Sequence, residues 1–152
     1  MKKIFSLIIL SILLYACSSD NSTTCTTKIA LTDNLETVYN CENTTQLLDV
    51  PALNDNYIII RDNDTFLEKV TGSCVTQVDF DKYDLLIGKK GLTNGLSNIS
   101  YKMTIDCNVK DPVVDVTFYL NETAEAPNVT YHVFVPKLGK ERNLAVNLYM
   151  EN

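Results

Sequence analysis

The sequence lacks the short motifs that identify the common catalytic and nucleotide-binding sites. It contains no Gly-x-Ser-x-Gly nucleophile motif, no phosphate-binding loop and no His-Glu-x-x-His metal motif. His132 is the only histidine, and no two cysteines stand at C-x-x-C spacing, which argues against a zinc site. These absences predict a protein without enzymatic activity, metal or cofactor.

Positively charged residues are scarce as well. The chain has 13 Lys and Arg against 19 Asp and Glu, which gives a formal net charge of −6. Nucleic-acid binding depends on clustered Lys and Arg side chains that contact phosphates. We therefore expect no nucleic-acid partner.

The chain also lacks an apolar run as long as the ~20 residues of a membrane-spanning helix. The best candidate, residues 4–14, follows two lysines and ends shortly before Ala16 and Cys17, which is the pattern of an export signal. We predict that residues 1–16 are removed. The loss of the two lysines then changes the net charge from −6 to −8, and the remaining 136 residues suffice for one domain of ordinary size.

The residues around the predicted cleavage site, Leu14-Tyr15-Ala16-Cys17, resemble a lipobox, the motif at which bacterial lipoproteins are acylated. The resemblance implies that Cys17 becomes the lipid-bearing first residue of the mature protein. Two or three acyl chains, palmitate among them, anchor a protein stably where one chain is marginal. The alternative is an ordinary secreted protein in which Cys17 occupies this place by chance.

The polar residues 17–24 contain no apolar side chain to bury beyond Cys17, which predicts a flexible tether. Asp20 in this stretch is similar to the acidic tether residues of Bacteroidetes lipoproteins, some of which are displayed on the cell surface. We expect a protein anchored by lipid in the outer membrane, at the periplasmic face or the cell surface.

Four cysteines remain once Cys17 is lipidated, an even number in an oxidising compartment. Three disulfide pairings are possible. We favour Cys25 with Cys41 and Cys74 with Cys107, because the first two lie in the N-terminal segment and the other two in the body of the domain.

The second half of the chain alternates apolar and polar residues with a period of two, which is typical of strands with one buried face. Ahead of it, Phe66, Leu67 and Val70 fall on one helical face behind capping residues that include Asp62, and this predicts a helix rather than a calcium loop. The predicted strands cover residues 57–60, 84–88, 101–107, 114–120, 129–135 and 144–150.

These elements predict an α+β fold that is mainly β, an antiparallel meander sheet with one helix packed on one face. The segment before the first strand is expected to be irregular, with one edge strand, and to be held by a disulfide. The predicted organisation is a signal peptide at 1–16, a tether at 17–24, an N-terminal segment at 25–55 and a β domain at 56–152.

Several phrases of the β domain occur in an order that is similar to a known family. They are the strand at residues 57–61, the helix with Phe66, the phrase at 78–88, the turn at 91–95 and the phrase at 131–137. Together they resemble the family named for the C-terminal domain of PrcB, a lipoprotein subunit that stabilises a surface protease complex. The resemblance implies an accessory or binding domain whose partner is another envelope protein.

Asp79, Asp81 and Asp84 cluster just before a predicted strand and suggest an alternative site. If the fold brought Asp79 and Asp81 to His132, they would support acid–base chemistry in an envelope hydrolase or form a small-ligand site. The competing interpretation is that these acids bind the backbone at a tight strand entry. Alternation places His132 on the solvent side of its strand.

Alternation also places four aromatic residues outward or at strand ends, namely Tyr83, Tyr119, Phe134 and Tyr149. Exposed aromatic side chains on a rigid sheet commonly form recognition surfaces, although scattered surface aromatics are the alternative. We therefore expect a membrane-anchored, non-enzymatic binding or accessory subunit with a contiguous exposed apolar face or strand edge.

Overall fold

Nine strands and three short helices occur in the part of the chain that the structure describes. The structure is a computed structural model and describes residues 25–139 and 142–152, so the predicted signal peptide, the tether and Cys17 lie outside the described residues. The helices are α1 (Leu35–Tyr39), α2 (Thr44–Leu47) and α3 (Asn63–Lys69). The strands are β1 (Thr26–Leu31), β2 (Leu48–Asp49), β3 (Tyr57–Ile60), β4 (Thr71–Gly72), β5 (Tyr83–Gly91), β6 (Leu96–Asp106), β7 (Val113–Leu120), β8 (Asn128–Pro136) and β9 (Ala145–Glu151).

The strands form three sheets. One has four strands in the order β1-β6-β7-β9, one has three in the order β3-β5-β8, and β2 pairs with β4. Neighbouring strands are antiparallel except for β7 and β9, which run parallel. The predicted fold class, α+β and mainly β with antiparallel sheets, is confirmed. The strands divide between sheets instead of following one another in a single meander.

The change from one sheet to the other occurs in connections that the sequence marks as turns. Residues 92–95 lead from β5 to β6 in the other sheet, and residues 121–127 lead back from β7 to β8. The Gly95 N–H donates to the Thr123 carbonyl at 3.2 Å, and a side chain at Gly95 would collide with Thr123 and Asn121. Glycine at this position therefore lets the two crossing connections pack against each other.

Two hydrophobic cores lie on opposite faces of the three-stranded sheet. Leu85 and Ile87 of β5 point into the first core, which also contains Phe66 of α3. Leu86, between them, points into the second core together with Phe118 of the four-stranded sheet. The molecule thus has three layers: helices and loops, then the three-stranded sheet, then the four-stranded sheet.

Helix α3 forms where the sequence predicts it. The Asp62 carboxylate accepts a hydrogen bond from the Thr65 N–H at 2.7 Å, which satisfies one of the unpaired donors of the first turn. Phe66 and Val70 are buried in the first core, whereas Leu67, predicted on the same face, is exposed. The interpretation of Asp62 as a helix cap is confirmed.

The N-terminal segment contributes to both outer layers. Strand β1 is an edge strand along β6, as predicted, with Thr26 opposite Asp106. Helix α1 begins with a capping box in which Asn34 and Thr37 bind each other's backbone N–H groups, and α2 packs against β8. This segment has more regular structure than its sequence predicts.

The disulfide pairing that we favoured from the sequence is wrong. Cys25 pairs with Cys107 at a Cα separation of 5.2 Å, and Cys41 pairs with Cys74 at 5.7 Å, both within the usual range for disulfides. The physical reason is the pairing of β1 with β6, which brings residues 25 and 107 together although 82 positions separate them. Cysteines that are close in the sequence do not pair here, because strand β1 of the N-terminal segment belongs to the four-stranded sheet.

Candidate functional site

Asp84 is the most deeply placed of the three clustered acids. Its side chain is fully buried, and its carboxylate lies 2.9 Å from Lys137 Nζ and 3.6 Å from Arg61 Nε. The Leu138 N–H also donates to it at 3.0 Å. These contacts offset the cost of burying a charge. Asp84, at the start of β5, therefore links the residues that directly follow β3 and β8.

Asp79 and Asp81 lie apart from His132. Both acids line one shallow depression, whereas His132 lines a different cavity. Asp79 pairs with Lys82 at 2.8 Å, and the hydrogen bond from that ammonium group holds the pKa of the Asp79 carboxyl below its usual value. No hydrogen bond among the described residues connects either acid to His132, so the arrangement required for the alternative site is not formed.

His132 is buried, which corrects the prediction that it faces solvent. Its exposed fraction is 3%, and it lies within seven consecutive buried residues, 129–135. Strand β8 lies between two layers, so alternation sends the side chains of residues 129–135 to two covered faces and none of them to water. His132 and Thr130 both point towards the helical layer, where they meet Thr44 and the Leu48 carbonyl.

A chain of hydrogen bonds connects His132 to helix α1. His132 Nε2 lies 2.7 Å from Thr44 Oγ1 in α2. Thr44 Oγ1 donates to Glu36 Oε1 at 2.6 Å, and the Thr44 N–H donates to the same oxygen at 2.8 Å. Because the Thr44 proton goes to a carboxylate, Thr44 accepts a hydrogen bond from His132, which assigns the Nε2–H tautomer.

The Nε2–H tautomer determines whether His132 can act as a base towards the Thr44 hydroxyl. In a nucleophilic triad, histidine removes the proton of the hydroxyl group. Here the Thr44 proton is held by Glu36 and His132 is the donor, so the arrangement positions the imidazole and does not activate the hydroxyl. His132 Nδ1 is left as a hydrogen-bond acceptor, and it is buried without a partner among the described residues.

Burial also keeps His132 uncharged. Desolvation lowers the pKa of its imidazole to about 4, and the Glu36 carboxylate opposes this only in part. A buried acceptor without a hydrogen bond costs roughly 1–3 kcal/mol. Nδ1 is therefore an atom at which a donor from water or a ligand would stabilise the protein.

The backbone of His132 lies at the edge of the three-stranded sheet. Its N–H donates to the Tyr101 hydroxyl at 3.1 Å, so it points away from β5. The N–H and C=O of one residue point the same way in an antiparallel strand, and alternate residues repeat the direction. The His132 carbonyl and the backbone groups of Thr130 consequently face this edge too.

A cavity of about 320 Å³ lies along this edge of β8, and we refer to it as the β8 cavity. Its walls come from α1, α2, the beginnings of β6 and β8, and the connection before β8. Two carboxylates, Glu36 and Glu125, belong to its lining, which contains no lysine or arginine. Thr44, Tyr101, Thr130 and His132 are among the other polar residues of the lining.

No protein family, curated protein or solved structure matches the chain. The resemblance to the PrcB family accordingly stays a prediction. Within residues 25–139 and 142–152, no group of three or more His, Cys, Asp and Glu side chains is placed to hold a metal ion. No helix in the same ranges is long and apolar enough to cross a membrane.

The four aromatic residues predicted to face outward divide into two pairs. Phe134 is 3% exposed and Tyr83 is half-buried, and their rings lie 5.4 Å apart beside the first core, so the outward prediction is wrong for Phe134. Tyr119 and Tyr149 are exposed, at 37% and 47%. They are neighbours, because Thr117 lies opposite Tyr149 in the β7–β9 register and Tyr119 is two positions along the same face.

Strand β9 is the edge of the four-stranded sheet, and no described strand pairs with its outer side. The Ala145 N–H donates to the Pro112 carbonyl, so alternate residues from Ala145 onward point their backbone groups at β7. The backbone groups of Val146, Leu148 and Met150 therefore point outward. We call these groups the β9 edge, and Met150 at its end is 46% exposed.

Sequence reasoning missed Glu36, Thr44 and Tyr101. The first two lie in a segment that was predicted to be irregular, and a signal existed in Asn34-x-x-Thr37, which has the spacing of a helix N-terminus. Tyr101 was placed correctly on a strand. Its hydrogen bond to β8 in the other sheet depends on the topology, which the sequence does not reveal.

Proposed function

We propose that the chain is a lipid-anchored envelope protein that acts as a non-enzymatic binding subunit for another envelope protein. The predicted lipobox at Cys17 supports the anchor, and the polar residues that follow support a tether that holds the domain away from the membrane. The observation that carries the binding role is the β9 edge with its adjoining tyrosines. We infer that the partner adds an extended strand along β9.

The β9 edge has the features that strand addition requires. Its outward N–H and C=O groups recur at every second residue, which is the spacing that a new strand would meet. Tyr149 and Tyr119 lie beside it on the exposed face of the sheet, where they would contact side chains of the added strand. Backbone hydrogen bonds would supply affinity, and these aromatic side chains would supply specificity.

Protective features are few on β9. Edge strands of soluble proteins commonly carry lysine, proline or a bulge that prevents pairing with other chains. β9 has neither lysine nor proline, its pairing with β7 is regular over seven positions, and its single charged residue is Glu151. The opposite edge, β1, carries Lys28 and is held by the disulfide at Cys25. An unprotected edge is what a binding strand needs.

Photo-cross-linking in intact cells tests the binding role. A photoreactive phenylalanine analogue replaces Tyr149, and the control replaces Leu67, which is 58% exposed on α3. We expect one dominant adduct with an envelope protein from position 149 and none from position 67. Equal adduct patterns at the two positions, or no adduct at 149, would contradict the proposal.

Two substitutions at Met150 separate backbone from side-chain binding. Met150→Pro removes an outward N–H without removing a bond to β7, whereas Met150→Ala keeps that N–H and removes the exposed side chain. If the partner adds a strand, the proline variant should lose the adduct formed at position 149 and the alanine variant should retain it. Far-UV circular dichroism of both variants checks that the domain still folds.

The anchor is tested separately from binding. Cys17→Ala should leave the protein unlipidated and move it from the membrane fraction to the soluble fraction. Persistence of the variant in the membrane fraction after a high-salt wash would count against the lipobox. Because the binding test reads out at position 149, failure of one experiment does not decide the other.

A further inference from the structure

We propose that the β8 cavity binds a small organic cation that carries a primary ammonium group. This site is formed by residues other than those of the β9 edge, and it goes beyond the proposed binding of an envelope protein. Its charge, its unpaired acceptors and its size support the inference independently.

Charge selects the class of ligand. Glu36 and Glu125 both line the cavity, and none of the ion pairs among the described residues involves either of them. No lysine or arginine belongs to the lining to balance them. Two uncompensated carboxylates in one cavity attract a cation and repel phosphate, sulfate or carboxylate groups.

The wall of the cavity that Glu36, Thr44 and His132 form has two unpaired acceptor atoms. Glu36 Oε1 is occupied by Thr44, while Glu36 Oε2 has no hydrogen bond among the described residues. His132 Nδ1 accepts and lacks a partner, and the His132 carbonyl faces the same strand edge. An ammonium group has three N–H donors and no acceptor, so it can satisfy this set directly or through one bound water.

The size of the cavity limits the ligand to a small molecule. Its volume of about 320 Å³ is at the lower end of the ~300–1,000 Å³ typical of ligand sites. The hydrogen bonds from Glu36 through Thr44 to His132 hold the polar wall in place before a ligand arrives. A preorganised wall loses less conformational freedom on binding.

Isothermal titration calorimetry on the purified full-length protein, with any histidine tag removed, tests the inference with three probes of similar size. Ethanolamine carries the ammonium group, ethylene glycol is its neutral counterpart and glycolate is an anion. We expect ethanolamine to bind roughly tenfold more tightly than ethylene glycol, since charge-assisted hydrogen bonds are the stronger class. Glycolate should not bind. Equal affinities for the neutral and cationic probes would overturn the charge argument.

Matched variants locate the site. Glu36→Gln keeps an acceptor for Thr44 but removes a charge, and should weaken ethanolamine binding by roughly tenfold. Glu125→Gln, on an exposed loop where folding is not at risk, should weaken it by about threefold. Glu122→Gln changes an exposed glutamate of the same loop that does not line the cavity, and should have no effect. An equal loss in Glu122→Gln and Glu125→Gln would show a general charge effect and overturn the site.

The single histidine gives a direct reporter. In ¹⁵N-labelled protein without a histidine tag, the imidazole resonances belong to His132 alone. Ethanolamine at saturation should shift the Nδ1 resonance as that atom gains a hydrogen bond, while Nε2 keeps its proton. An unchanged Nδ1 resonance at saturation would contradict the placement of the ammonium group beside His132.

Discussion

The two larger sheets differ in how many of their faces are covered. The three-stranded sheet lies between the helices and the other sheet, and its strand β8 has seven consecutive buried residues. In β7 of the four-stranded sheet, buried Val116 and Phe118 alternate with the more exposed Thr117 and Tyr119. A period-two sequence pattern therefore reports exposure only in the sheet that has one open face.

The same difference separates two kinds of polar residue. Asp84 and His132 in the covered sheet are buried and bonded to named partners. Asp115 on the open face accepts from the Asn147 side chain at 2.9 Å in contact with solvent. Polar groups in the covered sheet are thus part of the packing, and those on the open face are available to a partner.

The largest expected change in stability comes from a comparison of buried Phe134 with exposed Tyr149. Phe134→Ala should reduce the free energy of unfolding by about 3–5 kcal/mol, because the ring is buried against Tyr39 and Tyr83. Tyr149→Ala on the open face should change it by no more than about 1 kcal/mol. Urea unfolding followed by circular dichroism measures both, and similar losses in the two variants would remove the contrast between the sheets.

The disulfide at Cys25 should stabilise chiefly the four-stranded sheet. Replacing Cys25 and Cys107 by serine should cost about 4 kcal/mol, since the bond closes a loop of 82 positions. Hydrogen exchange should speed up most along β1 and β6. Non-reducing peptide mapping provides the direct check, and a peptide that links Cys25 to Cys41 would contradict the structure.

The burial of His132 predicts a loss of stability in mild acid. Its pKa falls from 6.5 in the unfolded chain to about 4 in the fold, so the unfolded state binds the proton more readily. The contribution of neutral His132 to the free energy of unfolding is complete above pH 6.5. It is lost as the pH falls towards 4, by roughly 3 kcal/mol in total. His132→Gln should lack this part of the pH dependence, which unfolding curves at pH 7 and pH 4.5 would measure.

The smallest effect in the series compares two aspartates. Asp84→Asn should cost about 1–3 kcal/mol, because a buried carboxylate that forms ion pairs with two cations and accepts from the Leu138 N–H loses its charge. Asp115→Asn on the open face should stay within about 0.5 kcal/mol of the unsubstituted protein. Chemical denaturation distinguishes these outcomes, and an inert Asp84→Asn would mean that the carboxylate does not tie the strand ends together.

Local patterns in the sequence were enough to predict much of the fold. Helix α3 was predicted from its cap at Asp62 and its apolar face, and the later strands were predicted from alternation with turn residues between them. These features depend on near neighbours in the chain. The parallel pairing of β9 with β7 could not be predicted in this way, because it depends on which strands meet in space.

The candidate site was the hardest part to predict for the same reason. Hydrogen bonds join Glu36, Thr44 and His132. Thr44 and His132 are 88 positions apart in the sequence. Alternation gave the correct side of β8 for His132 relative to its neighbours, but not that this side is covered by α2. The expected exposure of His132 was wrong because the sequence does not show a second layer.

The two disulfides have a consequence for how the protein matures. Their connectivity is nested, since the Cys41–Cys74 bond lies inside the span of the Cys25–Cys107 bond. If the chain is exported N-terminus first, as the predicted signal peptide implies, its cysteines emerge in sequence order, and oxidation on emergence would join Cys25 to Cys41. Reaching the native connectivity then requires thiol–disulfide exchange. The yield of this protein should therefore depend on a disulfide isomerase more than on an oxidase.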